Sequence, residues 1–133
     1  MLQKKVKVVL FGPMPNFSEI KQLEKANTEE CSIEWFRPYP TSTYCLQSTS
    51  RDALIKSNTF LNNNAKRWAS THSNSFLFEP FDYLCRPNSR HCYNHIGKVV
   101  YMYDADHLNK FGGQLLFEPF FNYVKKNRIL LNE

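Results

Sequence analysis

An apolar run at residues 6–11, VKVVLF, constrains the fold more than any other feature, because it stops abruptly at Gly12-Pro13-Met14-Pro15. The run is rich in valine, a β-branched residue, and this is typical of a buried strand. The two prolines cannot continue strand pairing, so the chain must leave the sheet there as a loop. In parallel sheets, a loop at the carboxyl end of a strand is a common place for a functional site.

Segments with helical and strand character alternate along the rest of the chain. The helical segments are residues 17–25, 49–69 and 112–126, and the strand segments are residues 76–78 and 99–103. Thr49 and Asp52 resemble a capping box at the start of the long helix, and Pro119 should kink the last helix or shift its start. Asn58 falls on the apolar stripe of the long helix, where it either bonds a loop such as the Arg37 segment or lies at the edge of the face. The alternation predicts an α/β fold with a mostly parallel sheet.

The composition predicts one globular domain over residues 1–133. The chain has 133 residues, of which 42% are hydrophobic and 15% aromatic, enough for a modest core and too apolar for a disordered chain. The formal net charge is +5, but no dense basic cluster points to nucleic acid as a partner. No stretch is long and apolar enough to cross a membrane, and residues 8–11 are too few for a signal-peptide core. If the protein works outside the cytoplasm, we expect its export signal to lie outside this chain.

Four cysteines, Cys31, Cys45, Cys85 and Cys92, limit how the loops can be arranged. None of them forms a Cys-x-x-Cys pair, so the usual zinc and thioredoxin signatures are missing. An even number of cysteines in a small, loop-rich chain favours two disulfides over the alternative of four reduced, partly buried thiols. Of the three pairings that four cysteines permit, we favour Cys31–Cys45 and Cys85–Cys92, because each closes a short loop rich in turn residues.

A metal site is an open alternative near Cys92. His91 and His95 flank this cysteine, and cysteine and histidine are the usual zinc ligands. The spacing alone is weak support for a metal, and we therefore expect neither a metal nor another cofactor.

The pair Asp104 and His107 is the sharpest candidate for chemistry, because it follows a strand-like run and precedes a helix-like one. A histidine that acts as a general base needs a carboxylate that accepts its Nδ1 proton, fixes its tautomer and stabilises its charged form. The spacing in the sequence lets one turn of a loop bring the two side chains together. Asp106 is a weaker candidate, because adjacent side chains tend to point apart. The alternative is an Asp-rich turn that caps the next helix beside an exposed histidine.

The segment YDADHLNKFGG, residues 103–113, resembles the final sequence block of the SGNH hydrolases. The resemblance is strongest to the SGNH domains fused to membrane acyltransferases of the acyltransferase-3 family, which O-acylate bacterial surface polysaccharides. Further stretches resemble these domains in the same order along the chain: residues 8–15, the segment from Cys31 through Arg37-Pro38 to Cys45, Leu84-Cys85, Cys92, Gly97-Lys98 and Tyr101. The resemblance implies a partial three-layer, flavodoxin-like SGNH fold with a mostly parallel sheet, located in the periplasm or at the cell surface.

In that family, the Asp-x-x-His block supplies two members of a Ser-His-Asp triad. The resemblance implies that Asp104 orients His107 and that His107 activates a serine, which attacks an acyl ester and passes the acyl group to water or to a sugar hydroxyl. Family members carry this serine in a Gly-Asp-Ser block and add a glycine and an asparagine as oxyanion donors. No glycine in this chain precedes Asp-Ser, and serines such as Ser18 and Ser48 lack the elbow context. Residues 1–133 thus resemble the carboxyl-terminal part of an SGNH domain, and we expect negligible esterase activity from this chain alone.

Expectations about partners follow from this resemblance. The substrate would be an acylated polysaccharide or another acyl ester. If strands are missing, the strand at residues 6–11 presents an unpaired edge, so we expect self-association, or pairing with a membrane acyltransferase or a separate chain that carries the amino-terminal half. The main alternative is a non-catalytic remnant that binds a glycan or a partner protein through Trp35, Tyr39, Tyr44 or Trp68. A small nucleic-acid-binding domain ranks last, because no recognised motif supports it.

Overall fold

The computed structural model describes residues 6–17, 31, 39–40, 43–103 and 106–130 of the chain. Its helices are α1 (Arg51–Thr71), α2 (Phe81–Leu84) and α3 (Lys110–Lys126), with a short 3-10 turn at Thr43–Cys45. Its strands are β1 (Val8–Phe11), β2 (Ser48–Ser50), β3 (Ser75–Phe78), β4 (His91–Tyr93), β5 (His95–Ile96) and β6 (Val99–Val100). The helix predicted over residues 17–25 lies outside the described residues, apart from Phe17.

β1 and β3 form a parallel pair, as an α/β fold requires. Val9 lies opposite Phe76, and the Gly12 N–H extends the ladder by donating to the Phe78 carbonyl at 2.8 Å. α1 precedes β3 and packs against it, so the helix belongs to the crossover connection that parallel strands need. This parallel pair and its helix confirm the α/β class.

The other strand pairs differ from the predicted mostly parallel sheet. Among the described residues, β1–β3 is the one parallel pair, while β2–β4 and β5–β6 are antiparallel. Strands as short as these carry no periodic pattern from which their pairing could be predicted. β5 and β6 are joined by a tight turn in which Gly97 has a φ of 59°, a left-handed conformation that favours glycine. The flavodoxin-like three-layer arrangement stays a prediction.

α1 begins one residue later than the capping box predicts. Ser50 is the N-cap, and its Oγ accepts the Ala53 N–H at 3.4 Å. Thr49 instead lies in β2 opposite Cys92, so the predicted box between Thr49 and Asp52 is wrong. Threonine and serine both suit an N-cap, and the pairing of β2 with β4 decides between these two neighbours.

Asn58 connects α1 to the loop that follows β1. Its Nδ2 donates to the Met14 carbonyl at 3.0 Å, while the Arg37 segment that the sequence offered as a partner lies outside the described residues. The proline-rich loop has few backbone N–H groups of its own, and the amide of Asn58 supplies a donor that it lacks. This bond explains why a polar residue lies on the apolar stripe of α1.

α3 begins at Lys110, two residues before the predicted start at Gly112. Asn109 is its N-cap, and its Oδ1 accepts the N–H groups of Phe111 at 2.9 Å and of Gly112 at 3.2 Å. Pro119 lies within the helix, so it does not shift the start.

β1 is less buried than its sequence predicts. Phe11 packs on one side against Phe120 of α3, with 5.0 Å between ring centroids, and against Phe78 of β3 at 5.3 Å. Nevertheless Val8 is 44% and Phe11 47% exposed. The expectation of a buried strand is therefore wrong, because β1 pairs only with β3 among the described residues and its other edge receives no strand there.

An open groove lies beside β1, and we name it the β1–α1 groove. Its apolar lining includes Leu10, Phe11, Phe60, Leu61 and Trp68. Phe60 is 75% and Leu61 59% exposed, although both belong to the long helix that packs on β3. Apolar exposure of this kind is more common at binding sites than on ordinary protein surface.

Residues 43–50 and 81–103 form a cross-linked region that we name the disulfide module. Cys31 pairs with Cys45 at a Cα–Cα distance of 5.4 Å, and Cys85 pairs with Cys92 at 4.8 Å. This is the pairing that the loop lengths favour. Restriction of the unfolded chain by loops this short stabilises the folded state by roughly 2–3 kcal/mol for each bridge.

Asn94 is the buried polar centre of the disulfide module, with 1% of its surface exposed. Its Oδ1 accepts the Gln47 N–H at 2.8 Å, and its Nδ2 donates to the Cys45 carbonyl at 3.1 Å. Its backbone also bonds Gln47 on one side and the Tyr101 N–H on the other. One side chain therefore joins the 3-10 turn to the hairpin of β5 and β6.

Tyr101 is the second buried anchor of the module. Its hydroxyl lies 3.1 Å from the Leu84 carbonyl and also contacts the Tyr93 carbonyl. Burial raises the pKa of the Tyr101 hydroxyl above its ordinary value, so the phenol stays protonated and keeps its donor. The residue just before the predicted site is thus rigidly held.

Candidate active-site loop

The predicted site lies in a loop of residues 103–107, which we name the Asp–His loop. An antiparallel bridge between Met102 and Leu108 closes the base of this loop. His107 is therefore the last loop residue before the bridge. Asp104, its predicted partner, lies outside the described residues.

Asn109 and Gly112, which follow the Asp–His loop, fix how the loop joins α3. Asn109 donates through Nδ2 to the Val100 carbonyl at 2.8 Å while its Oδ1 caps α3, so one amide joins β6 to the helix. Gly112 lies against the Tyr101 carbonyl and the Leu108 side chain, with no room for a Cβ atom. Glycine there lets the first turn of α3 approach the strand closely.

His107 carries a carboxylate beside its Nδ1. The nearest described one belongs to Asp106, whose Oδ1 lies 3.1 Å from His107 Nδ1. The expectation that Asp106 points away from its neighbour is therefore wrong, because the backbone turns sharply there and the His107 carbonyl accepts the Tyr103 N–H at 2.7 Å. The role predicted for Asp104 stays a prediction.

This arrangement suits proton transfer more than stabilisation. The side chains of His107 and Asp106 are 72% and 54% exposed, and an ion pair in water adds little to folding stability. A carboxylate at Nδ1 selects the tautomer that leaves Nε2 as the proton acceptor. The Asp–His loop therefore presents an oriented imidazole at the protein surface.

The serines that sequence reasoning considered lie elsewhere. Ser48 lies in β2 opposite Tyr93, and Ser18 lies outside the described residues. Ser50 does stand where a strand meets a helix, a junction that the sequence left unnoticed. Its Oγ caps α1 and its backbone is extended, with φ −61° and ψ 128°, so it lacks the strained turn of a nucleophile elbow.

The alternative of a metal site near Cys92 lacks the thiolate that it would need. Cys92 is bonded to Cys85 and so is not available as a zinc ligand. His95 Nδ1 donates to the Gly97 carbonyl at 2.8 Å within the β5–β6 hairpin. Across the parts of the chain that the structure describes, no group of three or more histidine, cysteine or acidic side chains is arranged to hold a metal ion.

The aromatic residues predicted to bind a glycan are spread over different places. Tyr39 is 50% exposed, and Trp68 lines the β1–α1 groove and stacks on His72 with 4.8 Å between ring centroids. Trp35 and the side chain of Tyr44 lie outside what the structure describes. Their role in binding stays a prediction.

Asn109 and Gly112 are the positioning residues that sequence reasoning missed. An asparagine directly before an apolar helix is a signal for an N-cap. The Gly-Gly pair that follows hid this signal, because glycine is a poor helix former and suggested a later helix start.

The sequence model of the SGNH domain that occurs fused to AT3 domains matches residues 1–121. The chain therefore belongs to the SGNH domain family. Comparison with curated proteins and with solved structures finds no similar chain. Among the residues described, no helix combines the length and the hydropathy needed to cross a membrane.

Proposed function

We propose that this chain supplies the base half of an SGNH-type Ser-His-Asp site, in an acyl-ester hydrolase or O-acyltransferase that acts on acylated cell-surface polysaccharide. One observation carries the proposal: in a chain of the SGNH family, His107 stands on an anchored loop with a carboxylate 3.1 Å from its Nδ1. A carboxylate at Nδ1 selects the tautomer in which Nε2 can accept a proton from a nucleophile.

The chemistry follows from that geometry. His107 Nε2 removes the proton of a serine hydroxyl as the oxygen attacks the acyl carbonyl, and the same nitrogen then protonates the departing sugar oxygen. Water or another sugar hydroxyl next attacks the acyl-enzyme with His107 again as the base. Asp104 is the carboxylate that the family motif assigns to Nδ1, and Asp106 is its rival in the structure.

The serine and the oxyanion donors are proposed to come from a segment outside this sequence. No glycine here precedes Asp-Ser, and the members of a triad act as a unit, so this polypeptide by itself should hydrolyse esters negligibly. That segment would pack in the β1–α1 groove and on the edge of β1 that no described strand occupies, whether it belongs to a separate chain or to a membrane acyltransferase.

The location proposed is the periplasm or the cell surface. Both disulfides support this, because such bonds persist in oxidising compartments and are rare in the cytosol. The family description supports it too, since it names SGNH domains fused to AT3 domains.

Release of p-nitrophenol from its acetate ester tests the function. The chain alone should give the rate of buffer, while a fusion to an SGNH amino-terminal half with its Gly-Asp-Ser, Gly and Asn blocks should turn over. In the fusion, His107→Ala should lower kcat at least about 10³-fold. Lys56→Ala, an exposed change on α1 that lies outside the β1–α1 groove and the Asp–His loop, is the control and should leave kcat unchanged.

Two outcomes would contradict the proposal. Turnover by the isolated chain that His107→Ala abolishes would show a nucleophile within these residues. A folded, inactive fusion would favour the alternative of a non-catalytic domain that binds a glycan or a protein.

A further inference from the structure

A cavity of about 570 Å³ opens beside the Cys85–Cys92 disulfide, and we name it the module pocket. Its rings and polar groups include Tyr83, Arg86, Ser89, His91, Tyr93 and His95. Neither Asp106 nor His107 lines it, so it is a second site and not part of the Asp–His loop.

Arg86 is the one formally charged side chain among the described residues that line the module pocket. Residues 83–103 contain Arg86, Arg90 and Lys98 but no aspartate or glutamate. The acidic residue just before this stretch, Asp82, is already paired with Arg51 at 2.6 Å. A pocket whose own segment carries only positive formal charge attracts anions.

The aromatic surface of the pocket is rigid. The Tyr93 ring lies 5.5 Å from the His95 ring and 6.5 Å from the His91 ring, and 45% of Tyr93 is exposed. Between them Cys92 points inward, fully buried in its disulfide, so β4 is held from behind. The Nδ1 bond of His95 to the Gly97 carbonyl fixes that ring as well. Groups held in place before binding lose little entropy when a ligand arrives.

We propose that the module pocket binds an acidic glycan, meaning a chain whose sugar rings carry carboxylate groups. An exposed ring such as Tyr93 offers an apolar face to a sugar while its hydroxyl stays in water. Arg86 presents the planar donor fork that fits a carboxylate, and Ser89 lines the same pocket with a hydroxyl suited to sugar oxygens.

The choice of a glycan among anionic ligands rests on the proposed function, which places this domain on polysaccharide. The cavity itself favours a short ligand: two exposed tyrosine rings, Tyr83 and Tyr93, line a single cavity of about 570 Å³, whereas single-stranded nucleic acid is bound along a groove by successive stacked bases. The pocket would then bind the polysaccharide, and the Asp–His loop would act on the acyl groups that the polysaccharide carries.

Nitrogen–proton NMR of the full chain tests the proposal, with a galacturonic acid tetramer as the probe and a galactose tetramer as its neutral control. The acidic tetramer should shift amide signals within residues 83–98, and its affinity should fall severalfold between about 20 mM and 200 mM salt. Tyr93→Ala should weaken binding about tenfold, as expected for one lost stacking contact. Arg86→Gln should weaken it about fivefold.

Arg86 is exposed on a loop, so its replacement keeps the test valid if the Tyr93 variant misfolds. Phe117→Ala is the control, because Phe117 is an exposed aromatic residue that does not line the pocket. The proposal is overturned if neither tetramer binds, if the neutral one binds as well, if Arg86→Gln has no effect, or if a short DNA strand binds more tightly. Ester turnover by the fusion is read separately, so failure of the pocket and failure of the proposed function are distinguishable.

Discussion

The disulfide module and the β1–α1 groove differ in where they place polar and apolar side chains. In the module, polar groups go inside and are satisfied, as Asn94 is by bonds to Gln47 and Cys45. Beside the groove, apolar groups remain outside, as Phe60 does with 75% of its surface exposed. A buried amide whose oxygen and nitrogen are both bonded is typical of a completed interior, whereas large exposed apolar side chains such as Phe60 and Leu61 are typical of sites that bind another molecule.

This difference indicates which part of the chain can position a site without another polypeptide. The Asp–His loop is anchored to the module through Tyr101 and Asn109, and so it has a fixed place without any partner. Among the residues that the structure describes, the groove has one strand pair, β1–β3, behind it. We therefore expect the imidazole to be positioned in the isolated chain and the nucleophile to arrive through the groove.

The largest expected effect concerns the carboxylate at His107. In the fusion enzyme, Asp104→Asn should lower kcat about 10³-fold or more, because an amide at Nδ1 selects the wrong tautomer. Asp106→Asn, the matched variant of the residue 3.1 Å away, should lower kcat less than about tenfold. Steady-state ester hydrolysis gives both numbers, and the reverse order would assign the orienting role to Asp106.

The sequence was sufficient for the long elements and for the cysteine pairing. β1, β3, α1 and α3 carry apolar patterns, and these patterns survive in the structure within a few residues. The position of the Asp106 carboxylate beside His107 Nδ1 was not predictable, because it depends on a backbone turn that has no sequence signature of its own. The same holds for Asn94, whose partners come from the distant residues Gln47 and Cys45.

The next effect tests the finished interior of the module. Asn94→Ala should lower the free energy of unfolding by about 3 kcal/mol, because the Gln47 N–H and the Cys45 carbonyl lose their partner in a buried place. Asn88→Ala, an exposed change in the same module, should cost less than about 0.5 kcal/mol. Urea unfolding measures both, and equal costs would contradict the assignment of Asn94 as the buried polar centre of the module.

The neighbouring glycines of α3 form a matched pair. Gly112→Ala should destabilise the fold by about 2 kcal/mol, since its Cβ would meet the Tyr101 carbonyl and the Leu108 side chain. Gly113→Ala meets nothing within 4 Å and should stabilise the helix by roughly 0.5–1 kcal/mol. Thermal or urea unfolding separates them, and a Gly112→Ala variant as stable as the parent chain would contradict the close approach of α3 to Tyr101.

The smallest effect on stability is expected at the groove. Phe60→Ser and Leu61→Ser should change the free energy of unfolding by less than about 0.5 kcal/mol, because both side chains are already largely in water. The same changes should weaken self-association of the isolated chain, which sedimentation velocity measures across a concentration series. A wild-type chain that stays monomeric throughout would argue against a docking role for the groove.

Complementation with separate polypeptides tests most directly whether this chain is the base half of a divided site. A purified SGNH amino-terminal half with the Gly-Asp-Ser, Gly and Asn blocks is held constant, and the chain is added while ester hydrolysis is followed. We predict turnover that rises and saturates with added chain, is absent with His107→Ala, and needs more chain with Phe60→Ser. Turnover by the amino-terminal half that the chain leaves unchanged, or full activity with His107→Ala, would contradict the account.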